Sequence, residues 1–239
     1  MRWMDVYRIL LGTYGSRGWW PLVSRAGKEG RDDRGYLPGG GPPRDRAGMF
    51  EVAAGAVLTQ GTAWLNAERA VLGLSRSGAL SPEGILATPR DILAGILRPS
   101  GYFNAKARKL EELARFFRAL PPEGSGYSAP SRDSLLSLWG IGPETADSIL
   151  LYAFGISTFV VDEYTRRVAG RLGFERADSS YDDFKSRLEI ETPRKWIVYS
   201  EFHALLVEHA KTRCKKNPIC AECPLRSDCE YGMYDKSQY

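Results

Sequence analysis

The sequence predicts an all-α fold, and three observations carry that prediction. Apolar residues recur at steps of three and four, as in Ala107, Leu110, Ala114 and Phe117, with Lys106, Lys109, Glu112 and Arg115 between them. Long stretches lack the strict apolar–polar alternation of a half-buried strand. Helix-opening pairs such as Ser81-Pro82 and Thr88-Pro89 punctuate the chain at regular intervals. At 239 residues and 43 % hydrophobic content there is enough apolar material for one large core or two small ones.

Taken in order, the first twenty residues scatter Arg2, Asp5, Arg8 and Arg17 around the short patch Ile9-Leu10-Leu11, which is not a signal-peptide profile, so a cytoplasmic protein is expected. Residues 25–47 hold six glycines, three prolines and ten charged residues, including Pro38-Gly-Gly-Gly-Pro-Pro43, and are expected to form a mobile loop. One or two helices follow over 49–74, short ones over 81–95, and an amphipathic one over 104–118. A linker at 121–130 ends that run. Ser131 then caps a helix to Leu138, a Gly-Ile-Gly turn follows, and helices are expected over 144–154, 163–172, 181–188 and 193–212. No internal repeat is visible. The longest apolar stretch, 149–161, is broken by Gly155, Ser157 and Thr158 and falls short of the about 20 residues of a membrane span, so no membrane association is expected.

A formal charge of +4 permits a polyanionic partner without identifying one. Cysteine usage says more. All four cysteines lie within the sixteen residues 214–229, and without an export signal such clustering favours metal binding over disulfides. The spacing Cys214-x5-Cys220-x2-Cys223-x5-Cys229 suits a thiolate site for zinc or for a [4Fe–4S] cluster; zinc modules more often carry two Cys-x2-Cys knuckles, and here there is one. The two histidines, His203 and His209, are six residues apart and do not share a helix face, so neither a metal triad nor a Ser–His–Asp site is expected. No phosphate-binding loop of nucleotide hydrolases is present.

The most informative stretch is Leu135-Leu-Ser-Leu-Trp-Gly-Ile-Gly-Pro-Glu-Thr-Ala146. Gly140 and Gly142 allow a tight turn, Pro143 suits the first position of the next helix, and Ile141 would anchor the hairpin in the core. Backbone N–H groups of such a turn can meet a phosphate, although an ordinary αα-corner has the same pattern. Further on, Phe159-Val-Val-Asp162-Glu163 ends an apolar run with an acidic residue that opens a helix. A helix N-cap explains Asp162 equally well on its own.

Together, the hairpin, the Gly/Pro turn and Asp162, in this order and spacing, resemble the endonuclease III superfamily of DNA glycosylases, from about Phe50 to Cys229. The resemblance implies two helical lobes: a helical barrel over 50–155 bearing the helix-hairpin-helix, and a second lobe pairing 1–24 with 156–239, with a DNA cleft between them. It implies a damaged double-stranded DNA partner, a monomer, and DNA contacts from Gly140, Ile141, Gly142 and Thr145. Asp162 becomes the catalytic carboxylate, since breaking an N-glycosidic bond develops positive charge on the sugar. In bifunctional members a lysine near the start of the second hairpin helix forms a Schiff base; here Glu144 stands there, and a carboxylate cannot form the imine. A monofunctional enzyme is therefore expected.

Trp19-Trp20-Pro21 and Ala56-Val-Leu-Thr-Gln-Gly-Thr-Ala-Trp64 are similar to the bacterial 3-methyladenine glycosylase branch, which implies that Trp20 and Trp64, with Trp19 nearby, stack on the extruded base. An alkylated purine is cationic, and an indole face attracts a cation. Relatives commonly carry Phe where this chain has Trp64. Gln60 resembles the residue that fills the gap left by the flipped base. The stretch Arg98 to Lys106 resembles a loop that closes on DNA, with Lys106 and Arg108 reaching the backbone. For the cysteines, the family implies [4Fe–4S], with one residue fewer in the first gap than is usual. Lys211, Arg213, Lys215, Lys216 and Arg226 flank that loop, where they can contact phosphate or offset the charge of a cluster. A glycosylase for oxidised pyrimidines or mismatched bases, with lyase activity, and a non-catalytic DNA-binding iron–sulfur protein are the rival readings.

Overall fold

The computed structural model describes residues 1–18, 20–37, 39–121, 129–174 and 179–234. Among them the regular structure is helical, with no β-strand and no helix long and apolar enough to cross a membrane. The chain divides into two compact units: Trp19–Ile156, and Met1–Gly18 with Ser157–Tyr239. This division places residues 19–24, expected in the second lobe, with the hairpin-bearing unit.

In the first of these, the hairpin unit, α2 (Arg46–Leu58) is the central element. It is apolar on every side, and Phe50 and Val52 to Leu58 are buried, as a helix enclosed by others must be. It packs against α3 (Trp64–Arg76), α6 (Phe103–Ala119) and the turn at Ile149–Ala153. Asp45 caps it, accepting the Gly48 N–H at 2.8 Å. The short helices expected over 81–95 are α4 (Pro82–Ala87) and α5 (Arg90–Leu97), parted at Thr88-Pro89. Both pack on α6, whose buried stripe is Ala107, Leu110, Leu113, Ala114 and Phe117.

Residues 25–47, expected as a mobile loop, are tied to this unit at several points. Arg34 reaches Glu68 of α3 at 3.0 Å; within the segment Arg25 pairs at 2.5 Å with Asp45, the cap of α2, and just before it the Ser24 N–H donates to the buried Glu51 of α2 at 2.9 Å. The reason is pairing: charges that in isolation favour solvent find opposite charges on α2 and α3. Pro38 lies outside the described residues.

The hairpin follows as α7 (Arg132–Leu136) and α8 (Pro143–Ser148). The helix expected over 144–154 changes at Ile149 into a π-helical stretch that runs to Ala153. Such bulges occur mostly at functional sites.

In the other unit, the cysteine unit, α1 (Trp3–Tyr14) is a helix the sequence reading left out. Its stripe Trp3, Val6 and Leu10 is short, and it is completed only by aromatic partners far along the chain. Trp3 stacks on Phe184 of α10 (Tyr181–Glu191) and meets Phe202 of α11 (Trp196–Thr212) edge-on. Phe159 closes the cluster against Tyr199 and Phe202. Between them runs α9 (Glu163–Leu172), packed on α11 and on the terminal helix α12 (Glu230–Tyr234).

Candidate active site and nucleic-acid interface

The hairpin unit gathers Gln60, Gly140, Ile141, Gly142 and Thr145 at one turn. Gly140 has φ +79°, a left-handed conformation, and a Cβ there would lie 2.4 Å from Lys109 Cε, so the position demands glycine. Gly142 has φ −94° and caps α8; nothing lies within 4 Å of its Cβ direction. Ile141 is buried, and its N–H donates to Leu138 O at 3.1 Å. Arg132 grips the fully buried Asp147 with Nε and Nη2, at 3.0 and 3.2 Å, which locks α7 to α8 around the turn.

Gln60 sits against this turn. Its amide nitrogen donates to Thr145 Oγ1 at 2.8 Å and to Gly140 O at 3.2 Å, and Lys109 donates to its amide oxygen. The Thr145 side chain is thus engaged inside the protein, not pointed at solvent. Lys106 is likewise internal. It is 1 % exposed, and its ammonium donates to Leu58 O at 2.8 Å and Ser100 O at 2.6 Å. The DNA-backbone contact expected of Lys106 is therefore corrected: the Lys106 head crosslinks two loop starts. Burial, helped by the charge of Lys109, lowers it to about 8. Arg108 lies 4.0 Å over the ring of Trp139, a half-exposed residue that directly precedes Gly140.

The sequence reading did not single out Tyr102. This residue is 77 % exposed, has φ +47°, and lies beside Gly61, next to Gln60. A bulky residue held in left-handed backbone and in solvent is a functional signal. Tyr102 lies in the 98–106 stretch expected to close on DNA, but nothing in the sequence marks it out within that stretch.

Trp20 and Trp64 meet, but edge to face, with ring centres 5.5 Å apart at 85°. Two parallel rings sandwiching a base would stand further apart, so a base would meet one ring face and one ring edge. Tyr152 completes the group, 5.0 Å from Trp20, and Gly55 lets the Trp20 ring approach α2: a Cβ there would be 3.2 Å from Trp20 Nε1. The Trp64 indole N–H is buried without a hydrogen-bond partner among the described residues. Trp19 lies outside the described residues. Glu144 is exposed in the first turn of α8.

In the cysteine unit, Asp162 caps α9, as its alternative reading requires: Oδ1 accepts the Thr165 N–H at 2.7 Å. Its other oxygen, Oδ2, faces His203 Nε2 at 3.5 Å. Burial pushes this carboxyl up, but the His203 contact and the Thr165 N–H outweigh burial and hold it below the usual carboxylate value. The cap engages one oxygen and leaves the second facing His203.

The four cysteines border one pocket, with Val168, Leu172 and Leu225 as apolar walls. Cys214, Cys220 and Cys229 are buried, and burial raises the Cys223 and Cys229 thiols. Arg171 donates to Cys214 Sγ at 3.2 Å, and His209 Nε2 lies 3.7 Å from Cys223 Sγ while its Nδ1 meets Tyr14 Oη at 3.0 Å. Among the described residues no three His, Cys, Asp or Glu side chains converge on a point that would hold a single metal ion. Of the flanking cations, Arg213 pairs with Glu222 at 3.1 Å and Lys211 lies over Tyr164.

A helical fold with a glycine hairpin and a capped, ionised aspartate defines a class of DNA-repair proteins. This chain belongs to the HhH-GPD superfamily of base excision DNA repair proteins, whose family model matches residues 54–193. It is 36 % identical over 230 residues, 94 % of each chain, to a Methanocaldococcus jannaschii protein whose name describes a DNA repair glycosylase. Endonuclease III of Sulfolobus acidocaldarius is 30 % identical over 191 residues, covering 77 % of this chain and 83 % of that one. Among solved structures, endonuclease III in a non-covalent DNA complex superposes with a TM-score of 0.73 at 21 % identity, over 98 % of this chain and 97 % of that one, a likeness of fold.

Proposed function

We propose that this DNA glycosylase is monofunctional and excises alkylated purines of the 3-methyladenine and 7-methylguanine type from duplex DNA, leaving an abasic site. The observation that carries the reading is Asp162, a carboxylate kept ionised, with one oxygen locked by Thr165 and the other turned to His203. As the bond from C1′ to the base breaks, positive charge grows on the sugar, and a fixed carboxylate stabilises it without reorganising. A cationic alkylpurine leaves as a neutral base. Water delivers hydroxyl to C1′, and its proton passes by way of the carboxylate to solvent.

The aromatic group supports the substrate class. The indole faces of Trp20 and Trp64, with Tyr152 packed against Trp20, attract a cationic ring. Glu144 supports hydrolysis alone, since it has no amine to form an imine. Gln60 and Tyr102 are the residues we assign to the gap in the duplex, and the hairpin Gly140, Ile141, Gly142 to the phosphate backbone, with Thr145 holding Gln60. We assign the helical barrel to about 50–155 and the monomer as the working form.

Cys214, Cys220, Cys223 and Cys229 fit a [4Fe–4S] cluster. The donor set is all thiol in an apolar pocket, and Arg171 and His209 face sulfur. When bound, the cluster supplies a rigid staple for the C-terminal loop, and no step of the reaction runs through it.

The test is excision from a panel of duplexes: DNA methylated with dimethyl sulfate, a thymine-glycol duplex and a T·G mismatch, each with and without alkali. Release of 3-methyladenine and 7-methylguanine, with strand breaks only after alkali, is expected. Strand cleavage without alkali together with borohydride trapping overturns the monofunctional reading, and activity confined to thymine glycol or the mismatch overturns the substrate class. An Asp162→Asn variant as fast as wild type rejects the role of Asp162.

A further inference from the structure

The histidine that faces Asp162 has no part in any metal or nucleophile constellation, and six residues separate it from the other histidine, so the sequence gives no reason to single it out. Its place in the fold does. His203 lies on α11, the long helix that packs against α9, and Arg167 of α9 secures that packing by donating to Ala210 O at 3.1 Å and Cys214 O at 2.9 Å. This anchor sets the register that brings the His203 ring to the first turn of α9. His203 and Asp162 are 11 % and 14 % exposed, so their 3.5 Å approach is shielded from bulk water.

We propose that His203 is a positioning residue for the Asp162 carboxylate: it holds Oδ2 while the Thr165 N–H holds Oδ1, so that the group presents a fixed, ionised face to the sugar. The proposal rests on the catalytic reading of Asp162. A carboxylate held by a single cap bond can still swing about its Cα–Cβ and Cβ–Cγ bonds, and a second contact on the other oxygen removes that freedom. Catalysis that depends on a preorganised charge loses rate when the charge wanders, even if the substrate binds as before. A histidine kept only for packing between α9 and α11 would show the opposite pattern, with lower stability and an unchanged rate per folded molecule.

The experiment compares wild type, His203→Ala, His203→Gln, Asp162→Asn and the double variant Asp162→Asn/His203→Ala. Each is measured for single-turnover excision from methylated DNA, or from the thymine-glycol duplex if that is what wild type processes, for affinity towards a duplex with an abasic-site analogue, and for Tm. The expected result is a tenfold or greater loss of single-turnover rate in His203→Ala with affinity within about twofold of wild type. His203→Gln, which keeps a donor near Oδ2, recovers part of the loss, and His203→Ala adds no further loss in the Asp162→Asn background. The proposal is overturned if His203→Ala and His203→Gln excise at the wild-type rate, or if the double variant shows the full product of the two single losses. If His203→Ala does not fold, His203→Gln decides by its rate. Wild-type activity in Asp162→Asn is the separate outcome that removes the catalytic reading itself.

Discussion

Lys106 shows how one residue can be misjudged from its type. A lysine two positions after Asn104, in a basic stretch, reads as a phosphate contact, yet its ammonium is spent on Leu58 O at the end of α2 and Ser100 O just before Gly101. Removing it leaves two carbonyls without their donor, so Lys106→Met should cost about 1–3 kcal/mol at pH 7. The pH dependence has a definite sign. The folded chain releases this proton at about 8, whereas the unfolded chain keeps it up to the ordinary 10.5, so the folded state gains stability as pH rises through that window. Urea denaturation at pH 7 and 9.5 checks this: the gap between wild type and Lys106→Met should widen at the higher pH, and a gap that narrows would contradict the burial of the charged head. At Asp162 the cap reading and the catalytic reading turned out to be compatible, because a carboxylate has two oxygens and the cap uses one.

At the scale of the element, the hairpin separates two kinds of glycine. Gly140 is required by its left-handed backbone, whereas Gly142 has ordinary φ and open space. Gly140→Ala should therefore cost about 1–2 kcal/mol for the left-handed backbone, and it should also push Lys109 away from Gln60. Gly142→Ala should leave Tm within a degree or two of wild type while weakening duplex binding, since a methyl there stands where a phosphate would approach. Calorimetry and a duplex-binding titration on the two variants check both outcomes, and equal Tm losses would remove the distinction. The Gly-Ile-Gly-Pro pattern announced the turn because glycine and proline act locally. The π-helical stretch at Ile149–Ala153, which packs against α2, was not announced by any local pattern.

For the molecule as a whole, the cysteine loop bears on stability as well as on identity. Three of the four thiols are buried in a pocket that has Arg171 and His209 at its wall. Chain purified without oxygen should carry iron and acid-labile sulfide in equal amounts; zinc without sulfide would select the other reading. Cys220→Ser should lower the iron content and the Tm together, since a bound group that the unfolded chain lacks stabilises the fold by its binding free energy. Within the hairpin unit, the Gly/Pro-rich segment reaches α3 through Arg34 and Glu68, residues 34 positions apart.

The amino-acid order by itself determined the helical class, the hairpin, the four-cysteine loop and the place of Asp162 at a helix start. Each of these is written in local spacing: a 3.6-residue period, a Gly-x-Gly turn, short gaps between cysteines, an acidic residue after an apolar run. Only the tertiary structure decided that α1 exists as a packed helix, that Lys106 points inward, that Trp20 and Trp64 meet edge to face, and that His203 faces Asp162. Those four depend on partners that the chain brings together from 41 to nearly 200 residues away, and a contact of that kind exists only after the helices have packed.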